Sequence, residues 1–133
     1  MIDINTTALA YIGDAVYETY IRSHVLESGK TRVDALHNLS VKYVRADGQA
    51  YAIKQMFEEL SPEEQNLVKR ARNHKSMSRP KNADPIAYKW ATALEALIGY
   101  LYLNGDAQRL EEIISMAIES VDGEEKVWQK KER

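Results

Sequence analysis

Apolar residues recur at helical spacing along most of the chain, and no segment has the strict alternation of a half-buried strand. The pattern predicts an all-α protein of about six or seven helices, with one domain over residues 1–120 and a charged tail over 121–133. The main predicted helices span about 7–27, 31–37, 40–60, 62–74, 85–104 and 107–121. We expect residues 76–84 to form a polar loop and the tail to be frayed.

Capping residues mark where these helices begin. The expected N-caps are Thr31, Ser40, Ser61, Asp84 and Asp106. The strongest signal is Ser61-Pro62-Glu63-Glu64, because Ser61 can accept from the third helical N–H while Glu64 closes a capping box. Gly29 and Gly105 are placed to end the first and fifth helices.

The first and fifth helices are apolar on both faces, yet each carries one isolated acid. Between residues 8 and 17 the only charged residue is Asp14, and between residues 90 and 103 the only one is Glu95. A helix without a polar face is normally a buried central helix. Since an unpaired carboxylate is costly to bury, each of these acids needs a partner.

Two interpretations account for Asp14 and Glu95. In the first, lysine or arginine side chains, or backbone donors, neutralise each acid separately. In the second, the two apolar helices pack together and the converging carboxylates bind a divalent cation, Mg²⁺ or Mn²⁺, which prefers oxygen ligands. Gly13 and Gly99 permit such a close approach. Glu18, four residues after Asp14, is a candidate further ligand. Spacing alone leaves both interpretations open.

Basic residues are concentrated at the end of the fourth helix and in the loop that follows. Six of them fall within residues 69–81 with no acid between: Lys69, Arg70, Arg72, Lys75, Arg79 and Lys81. The negative C-terminal end of a helix explains about two or three cations. Cations that continue into a polar loop favour phosphate contacts, and Asn73 adds a neutral hydrogen-bonding group.

The composition of the chain excludes several kinds of functional site and bears on its location in the cell. The 133 residues carry a formal net charge of −2 and include no cysteine, which excludes disulfides, thiolate metal sites and cysteine nucleophiles. The three histidines are too scattered for a local metal motif. No stretch is apolar enough for a membrane span, and no secretory leader is visible at the start. We therefore expect a cytoplasmic protein.

Two motifs resemble the ribonuclease III family. Residues 10–16, Ala-Tyr-Ile-Gly-Asp-Ala-Val, resemble its signature Glu-Phe-Leu-Gly-Asp-Ser/Ala-Val, and residues 95–99, Glu-Ala-Leu-Ile-Gly, resemble its second acidic motif. The order of the motifs and the short chain are similar to Mini-ribonuclease III, a bacterial subgroup without a double-stranded-RNA-binding domain. The segments around residues 70–73 and 80–82 also look like that subgroup. The resemblance covers about residues 7–120.

The resemblance implies roles for three acids and also shows two departures. Asp14 and Glu95 match the family's catalytic acids and are expected to hold Mg²⁺, with Mn²⁺ as a substitute. Ordinary ribonuclease III has metal-binding acids where this chain has Ala10 and Thr92. The short subgroup also has an acid at the Glu18 position, which we interpret as a direct or water-mediated ligand.

The implied reaction is hydrolysis of double-stranded RNA that leaves a 5′-phosphate and a 3′-hydroxyl. The resemblance further implies a homodimer, the precursor of large-subunit (23S) ribosomal RNA as substrate, and a ribosomal protein as helper. Because two usual ligands are missing, a noncatalytic RNA-binding or ribosome-associated protein on the same fold is the alternative. A helical protein-interaction module with salt-bridged acids is a third hypothesis.

Overall fold

The computed structural model describes residues 4–74 and 84–131, with side chains up to residue 124. Over these residues the protein is all-α and contains no strand, as predicted. The elements are α1 (Thr6–Leu26), α2 (Val33–Val44), α3 (Ala46–Met56), a 3₁₀ turn (Phe57–Glu59), α4 (Pro62–Arg72), α5 (Pro85–Leu103) and α6 (Ala107–Lys131). None of the helices in this part of the chain is long and apolar enough to cross a membrane.

Helix α5 lies at the centre of the fold. Its buried residues form an almost continuous run: Ala91, Thr92, Ala93, Leu94, Ala96, Leu97, Ile98, Gly99 and Leu101. α1 makes the most extensive interface with α5, α3 and α4 also pack against α5, and α6 lies mainly against α3. The prediction that the two apolar helices pack together in the core is therefore confirmed.

The strongest predicted helix boundaries are confirmed. Ser61 Oγ accepts from the Glu64 N–H at 3.2 Å, and Glu64 Oε1 accepts from the Ser61 N–H at 2.8 Å, which completes the capping box. Asp84 caps α5 by accepting a backbone N–H at 3.0 Å, and Asp106 caps α6 in the same way at 3.2 Å. Gly105, with φ of 72°, ends α5 in the left-handed conformation that glycine adopts without strain.

The predicted starts of the second and third helices are wrong. α2 begins after Arg32, which makes no side-chain cap, and not after Thr31. Ser40 lies inside α2, where its hydroxyl donates to the His37 carbonyl at 2.9 Å. The chain breaks instead at Arg45, whose extended backbone (ψ 149°) separates α2 from α3. A serine hydroxyl bonds equally well to the preceding helical turn, so its presence does not identify a helix start.

Helix α6 continues through the segment that we expected to fray. It ends at Lys131 and not near Asp122. The Asp122 carboxylate accepts from Tyr43 Oη at 2.7 Å and pairs with the Lys42 ammonium at 3.3 Å. Because these contacts hold α6 against the end of α2, the expectation of a frayed segment from residue 122 is wrong. The division into a domain over 1–120 and a tail over 121–133 stays a prediction.

Candidate active site

Helices α1 and α5 cross so closely that their backbones touch at two glycines. A Cβ atom at Gly13 would overlap the Glu95 carbonyl oxygen, and one at Gly99 would overlap the Leu9 carbonyl oxygen. Only glycine fits at such positions, because every other residue carries a Cβ. Asp14 follows Gly13 directly in α1. The crossing therefore places Asp14 beside Glu95.

The Asp14 and Glu95 carboxyl groups lie together at this crossing. Glu95 is partly buried, whereas Asp14 is exposed, so the expectation that both acids lie inside the core is wrong for Asp14. The pKa of Glu95 is raised to about 9, first by burial, then by the hydrogen bond and negative charge of Asp14, and then by the charge of Glu18. No lysine or arginine of the described segments pairs with either acid.

Glu18 lies one turn along α1 from Asp14 and has a partner of its own. Its carboxylate pairs with the Arg22 guanidinium at 3.3 Å, and the Glu18 side chain is 44% exposed. Within residues 4–74 and 84–131, no group of three or more histidine, aspartate or glutamate side chains is arranged to hold a metal ion. Glu18 contributes negative charge at Glu95, but the structure does not place it in a preformed triad.

The Asp14–Glu95 pair fits a divalent cation in its donor chemistry. Two carboxylates without an intervening cation repel each other, which is one reason why the pKa of Glu95 is raised. Mg²⁺ usually takes one or two protein carboxylates and completes its shell with water and substrate phosphate. Two carboxylates, one of them open to solvent, therefore match the number of protein ligands that Mg²⁺ usually takes.

Ala10 and Thr92, the two positions at which this chain departs from the motifs that it resembles, are packed into the fold. Each is 7% exposed. The Thr92 hydroxyl donates to the Tyr88 carbonyl at 2.9 Å, so its hydrogen-bonding capacity is used within α5. Neither residue replaces the missing carboxylate.

Tyr17 is a neighbour of the site that was not among the predicted site residues. It is fully buried, and its hydroxyl donates to the Tyr43 carbonyl at 3.0 Å, which joins α1 to the end of α2. Burial, and then the charges of Tyr43 and Glu95, raise the pKa of Tyr17 well above its usual value. The phenol therefore stays neutral and holds α1 in place near Glu95. Tyr17 follows Asp14 by three residues and so lies on the same face of α1, which is the sequence signal of this proximity.

Four of the seven predicted RNA-contacting residues lie in the described part of the chain. Lys69 and Arg70 are exposed on the last turns of α4, and Asn73 is exposed at its C-cap. Arg72 is partly buried: its Nε donates to Asn73 Oδ1 at 3.1 Å, and its guanidinium lies 4.8 Å from the centre of the Trp90 ring. Three predicted residues lie outside the described residues, namely Lys75, Arg79 and Lys81.

Comparison with known proteins decides the family. The profile of the ribonuclease III domain matches residues 7–106, which include α1 except for its first residue, all of α5 and both acids of the pair. This chain belongs to the ribonuclease III family. It is therefore a hydrolytic endoribonuclease by descent, and the predicted resemblance to this family is confirmed. Ribonuclease III enzymes depend on divalent metal ions, which agrees with the chemistry of the Asp14–Glu95 pair.

Relatives within the ribonuclease III family match nearly the whole chain. Mini-ribonuclease 3 from Brevibacillus brevis is 46% identical over 120 residues, which cover 90% of each protein. Mini-ribonuclease 3 from Streptococcus pneumoniae is 43% identical, over 92% of this chain and all of its own length. A crystal structure of a protein from Fusobacterium nucleatum is similar with a TM-score of 0.77 at 33% identity, covering 88% of this chain and 93% of that one.

Proposed function

We propose that this enzyme hydrolyses phosphodiester bonds of double-stranded RNA and leaves 5′-phosphate and 3′-hydroxyl ends. The observation that carries the proposal is the pair of carboxylates, Asp14 and Glu95, at the crossing of two apolar helices. Their role is to bind and orient one Mg²⁺, or Mn²⁺ as a substitute. When bound, the ion supplies positive charge for the scissile phosphate and lowers the pKa of water.

Each acid has a distinct part in this proposal. Asp14, on the exposed side of the pair, reaches toward solvent, where substrate phosphate arrives. Glu95, partly buried, anchors the pair and is ionised once a cation balances its charge. Glu18 is the proposed water-mediated ligand, because its carboxylate is close enough to act on Glu95 and is paired with Arg22.

The basic residues at the end of α4 are the proposed RNA-binding surface. The exposed cations Lys69 and Arg70 form no ion pair with an acid in the segments that the structure describes, so their charge is available to phosphate. Arg72 and Asn73 complete the part of this surface that belongs to α4. We extend the proposal to Lys75, Arg79 and Lys81 from the sequence.

The proposed substrate is the precursor of large-subunit (23S) ribosomal RNA, cut in the cytoplasm with a ribosomal protein as helper. The support is the resemblance to Mini-ribonuclease III and the relatives of that name. Cleavage of a duplex that contains the mature 23S ends, with and without ribosomal proteins, tests this assignment. Equal cleavage of unrelated duplexes under both conditions would contradict it.

A homodimer is also part of the proposal. Tyr11, in the same helix as Asp14, is 84% exposed, although it is a large aromatic residue. Exposed apolar side chains of this size mark interaction surfaces when they occur beside other apolar groups. Ile4, which is 41% exposed, lies near the same end of α1. We therefore assign the N-terminal half of α1 to the subunit interface.

The Asp14→Asn variant tests the catalytic proposal. We expect no detectable cleavage of a structured RNA duplex in Mg²⁺ or Mn²⁺, because the amide is a poor ligand for a hard cation. Duplex binding measured in Ca²⁺ should stay within about twofold of the wild type, since the phosphate contacts are unchanged. Asp34→Asn, which alters an exposed acid on α2, is the matched control and should cleave normally. Full cleavage by Asp14→Asn would overturn the assignment.

The alternative function is a noncatalytic RNA-binding or ribosome-associated protein. It is favoured by Ala10 and Thr92, which supply no ligand. Wild-type protein that binds duplex RNA but cuts nothing across Mg²⁺ and Mn²⁺ concentrations would select it. The third hypothesis, a protein-interaction module with separately salt-bridged acids, loses its support, because no cation of the described residues pairs with Asp14 or Glu95.

A further inference from the structure

Two aromatic rings and three cations form a cluster where α3, the 3₁₀ turn, α4 and α5 come together. We call it the aromatic–cation cluster, and its members are Lys54 of α3, Phe57 of the turn, Lys69 and Arg72 of α4, and Trp90 of α5. Only two of these residues, Lys69 and Arg72, belong to the basic segment found in the sequence. Lys54 comes from a different helix.

The rings contact each other and every cation contacts a ring. Phe57 and Trp90 meet edge to face, with centroids 6.4 Å apart and an interplanar angle of 84°. The Trp90 ring centre lies 5.5 Å from Lys54 Nζ and 4.8 Å from the Arg72 guanidinium. Lys69 Nζ lies 5.8 Å from the Phe57 ring centre. The aromatic pair therefore gathers positive charge from two helices.

No carboxylate neutralises this charge in the part of the chain that the structure describes. Glu58 and Glu59 directly follow Phe57, yet neither pairs with a cluster cation. A ring attracts an ammonium or guanidinium group but leaves its charge available to an anion, whereas a carboxylate cancels it. Three cations held together without an acid repel one another, so the arrangement is suited to binding a polyanion.

We propose that the aromatic–cation cluster is a preassembled contact for the phosphate backbone of duplex RNA. In it, Phe57 and Trp90 are positioning residues that hold the cations before RNA arrives. Side chains ordered in advance lose less entropy on binding. The inference rests on the proposed function and extends the RNA-binding surface from α4 to Lys54 on α3. It also gives Trp90 a role other than filling the core.

The first experiment measures the salt dependence of duplex binding, in an Asp14→Asn background that does not cut the RNA. Adding Lys54→Ala should lower the slope of log affinity against log salt by about one, as expected for the loss of one phosphate contact. The matched control is Lys30→Ala, which removes the same charge from the exposed segment between α1 and α2. The control should leave the slope unchanged.

The second experiment separates positioning from folding. Trp90→Leu keeps every cation but removes the ring, so duplex affinity should fall about threefold to tenfold as the cations lose their fixed positions. Trp90→Phe retains an aromatic face and should restore most of that affinity. If Trp90 were only structural, both variants would lower the melting temperature while the folded protein kept wild-type affinity, and that result would overturn the proposal.

Failure of this inference is distinguishable from failure of the proposed function. If the Asp14→Asn protein binds no duplex RNA at any salt concentration, both are wrong. If it binds duplex RNA, and Lys54→Ala has the same slope as Lys30→Ala, only the aromatic–cation cluster is wrongly assigned. A lower slope for Lys54→Ala, together with recovery of affinity in Trp90→Phe, supports the proposal.

Discussion

Glu95 is a partly buried acid whose nearest charged neighbours are other acids. Asp14 and Glu18 both raise its pKa, and no cation of the described residues offsets them. Such a group is unfavourable in the metal-free protein, because burial and like charge both act against its ionised form. The same features that cost stability suit the divalent-cation site that we propose for Asp14 and Glu95. Glu95, the proposed metal ligand, therefore differs from a structural acid such as Glu64, whose carboxylate is paired with Arg109.

At the residue scale, we predict that Glu95→Gln preserves or raises the stability of the metal-free protein and abolishes its stabilisation by Mg²⁺. In a chelator at neutral pH, the variant should melt at the same temperature as the wild type or higher, because one of two adjacent carboxyls is gone. Addition of Mg²⁺ should raise the melting temperature of the wild type, as any ligand of the folded state does, but not that of the variant. Differential scanning calorimetry measures both effects.

Glu119→Gln is the control for this prediction. Glu119 is exposed on α6 and away from the α1–α5 crossing. The control should keep the full Mg²⁺-dependent rise in melting temperature. If Mg²⁺ raised the melting temperature of Glu95→Gln by as much as that of the wild type, Glu95 would not be a ligand of the metal ion.

At the scale of elements, the site depends on how closely α1 and α5 cross. The carbonyl oxygens of Leu9 and Glu95 occupy the space that side chains at Gly99 and Gly13 would need. The obstacle at each glycine is backbone, which cannot rotate away like a side chain. The distance between the two helices, and hence between Asp14 and Glu95, is set by these glycines.

Gly13→Ala should therefore damage both folding and activity. We expect a loss of about 1–3 kcal/mol in the free energy of unfolding, as for other overpacked cores, and loss of cleavage as the acid pair separates. Gly123→Ala is the control, because a Cβ there meets nothing within 4 Å inside α6. Since alanine has a higher helix propensity than glycine, the free energy of unfolding of that variant should rise by about 0.5–1 kcal/mol. Urea unfolding monitored by circular dichroism measures both free energies of unfolding. If Gly13→Ala and Gly123→Ala changed stability alike, the close crossing of α1 and α5 would be contradicted.

At the scale of the whole molecule, one ion pair connects the start of α4 to α6. Arg109 donates to the two carboxylate oxygens of Glu64 at 2.9 and 2.8 Å, and Glu64, which is 7% exposed, also completes the Ser61 capping box. The Arg109 hydrogen bond is the main cause that lowers the pKa of Glu64 below its usual 4.5. The pair therefore fixes the position of α4, and with it the basic surface.

Arg109→Met should destabilise the protein in a pH-dependent way. At pH 7 we expect a loss of about 2 kcal/mol, because Glu64 is left buried without its cation. A lowered pKa means that the folded state binds the proton less tightly than the unfolded state, so this stabilisation exists above pH 4.5 and is lost as pH falls below that value. The difference between variant and wild type should shrink in acid.

Arg32→Met provides the comparison for that measurement. Its ion pair with Asp34 is largely exposed, with side chains 83% and 70% accessible. Exposed pairs contribute little, so the control should change stability by less than about 0.5 kcal/mol at either pH. If Arg109→Met showed a pH-independent loss, the assignment of the effect to Glu64 ionisation would be wrong.

The proposed dimer is also tested at this scale. Tyr11→Arg places a charge at the most exposed large apolar side chain of the described residues. We expect a monomer in sedimentation equilibrium, since a charge without a partner at the centre of an interface opposes association. Tyr102→Arg, at a 51% exposed position near the end of α5, should remain dimeric. A dimeric Tyr11→Arg protein would place the interface elsewhere.

Local signals predicted much of the fold, and their failures have physical causes. The helix starts at Ser61, Asp84 and Asp106 were predicted correctly, because a cap and the N–H groups that it binds lie within three residues of each other. The continuation of α6 past residue 121 was missed, because Asp122 is held by Tyr43, a residue 79 positions away in the chain. Capping is local, whereas the stability of a helix end depends on what packs against it.

The sequence by itself determined the helical content and singled out Asp14 and Glu95 as candidate site residues, because an isolated acid in an apolar helix is recognisable from that helix alone. Only the tertiary structure decided that the two acids meet, that Asp14 is exposed, and that Glu18 pairs with Arg22. It also brought Lys54 to Trp90. Periodicity fixes the face on which a residue lies, but helix packing decides which distant residues share a site.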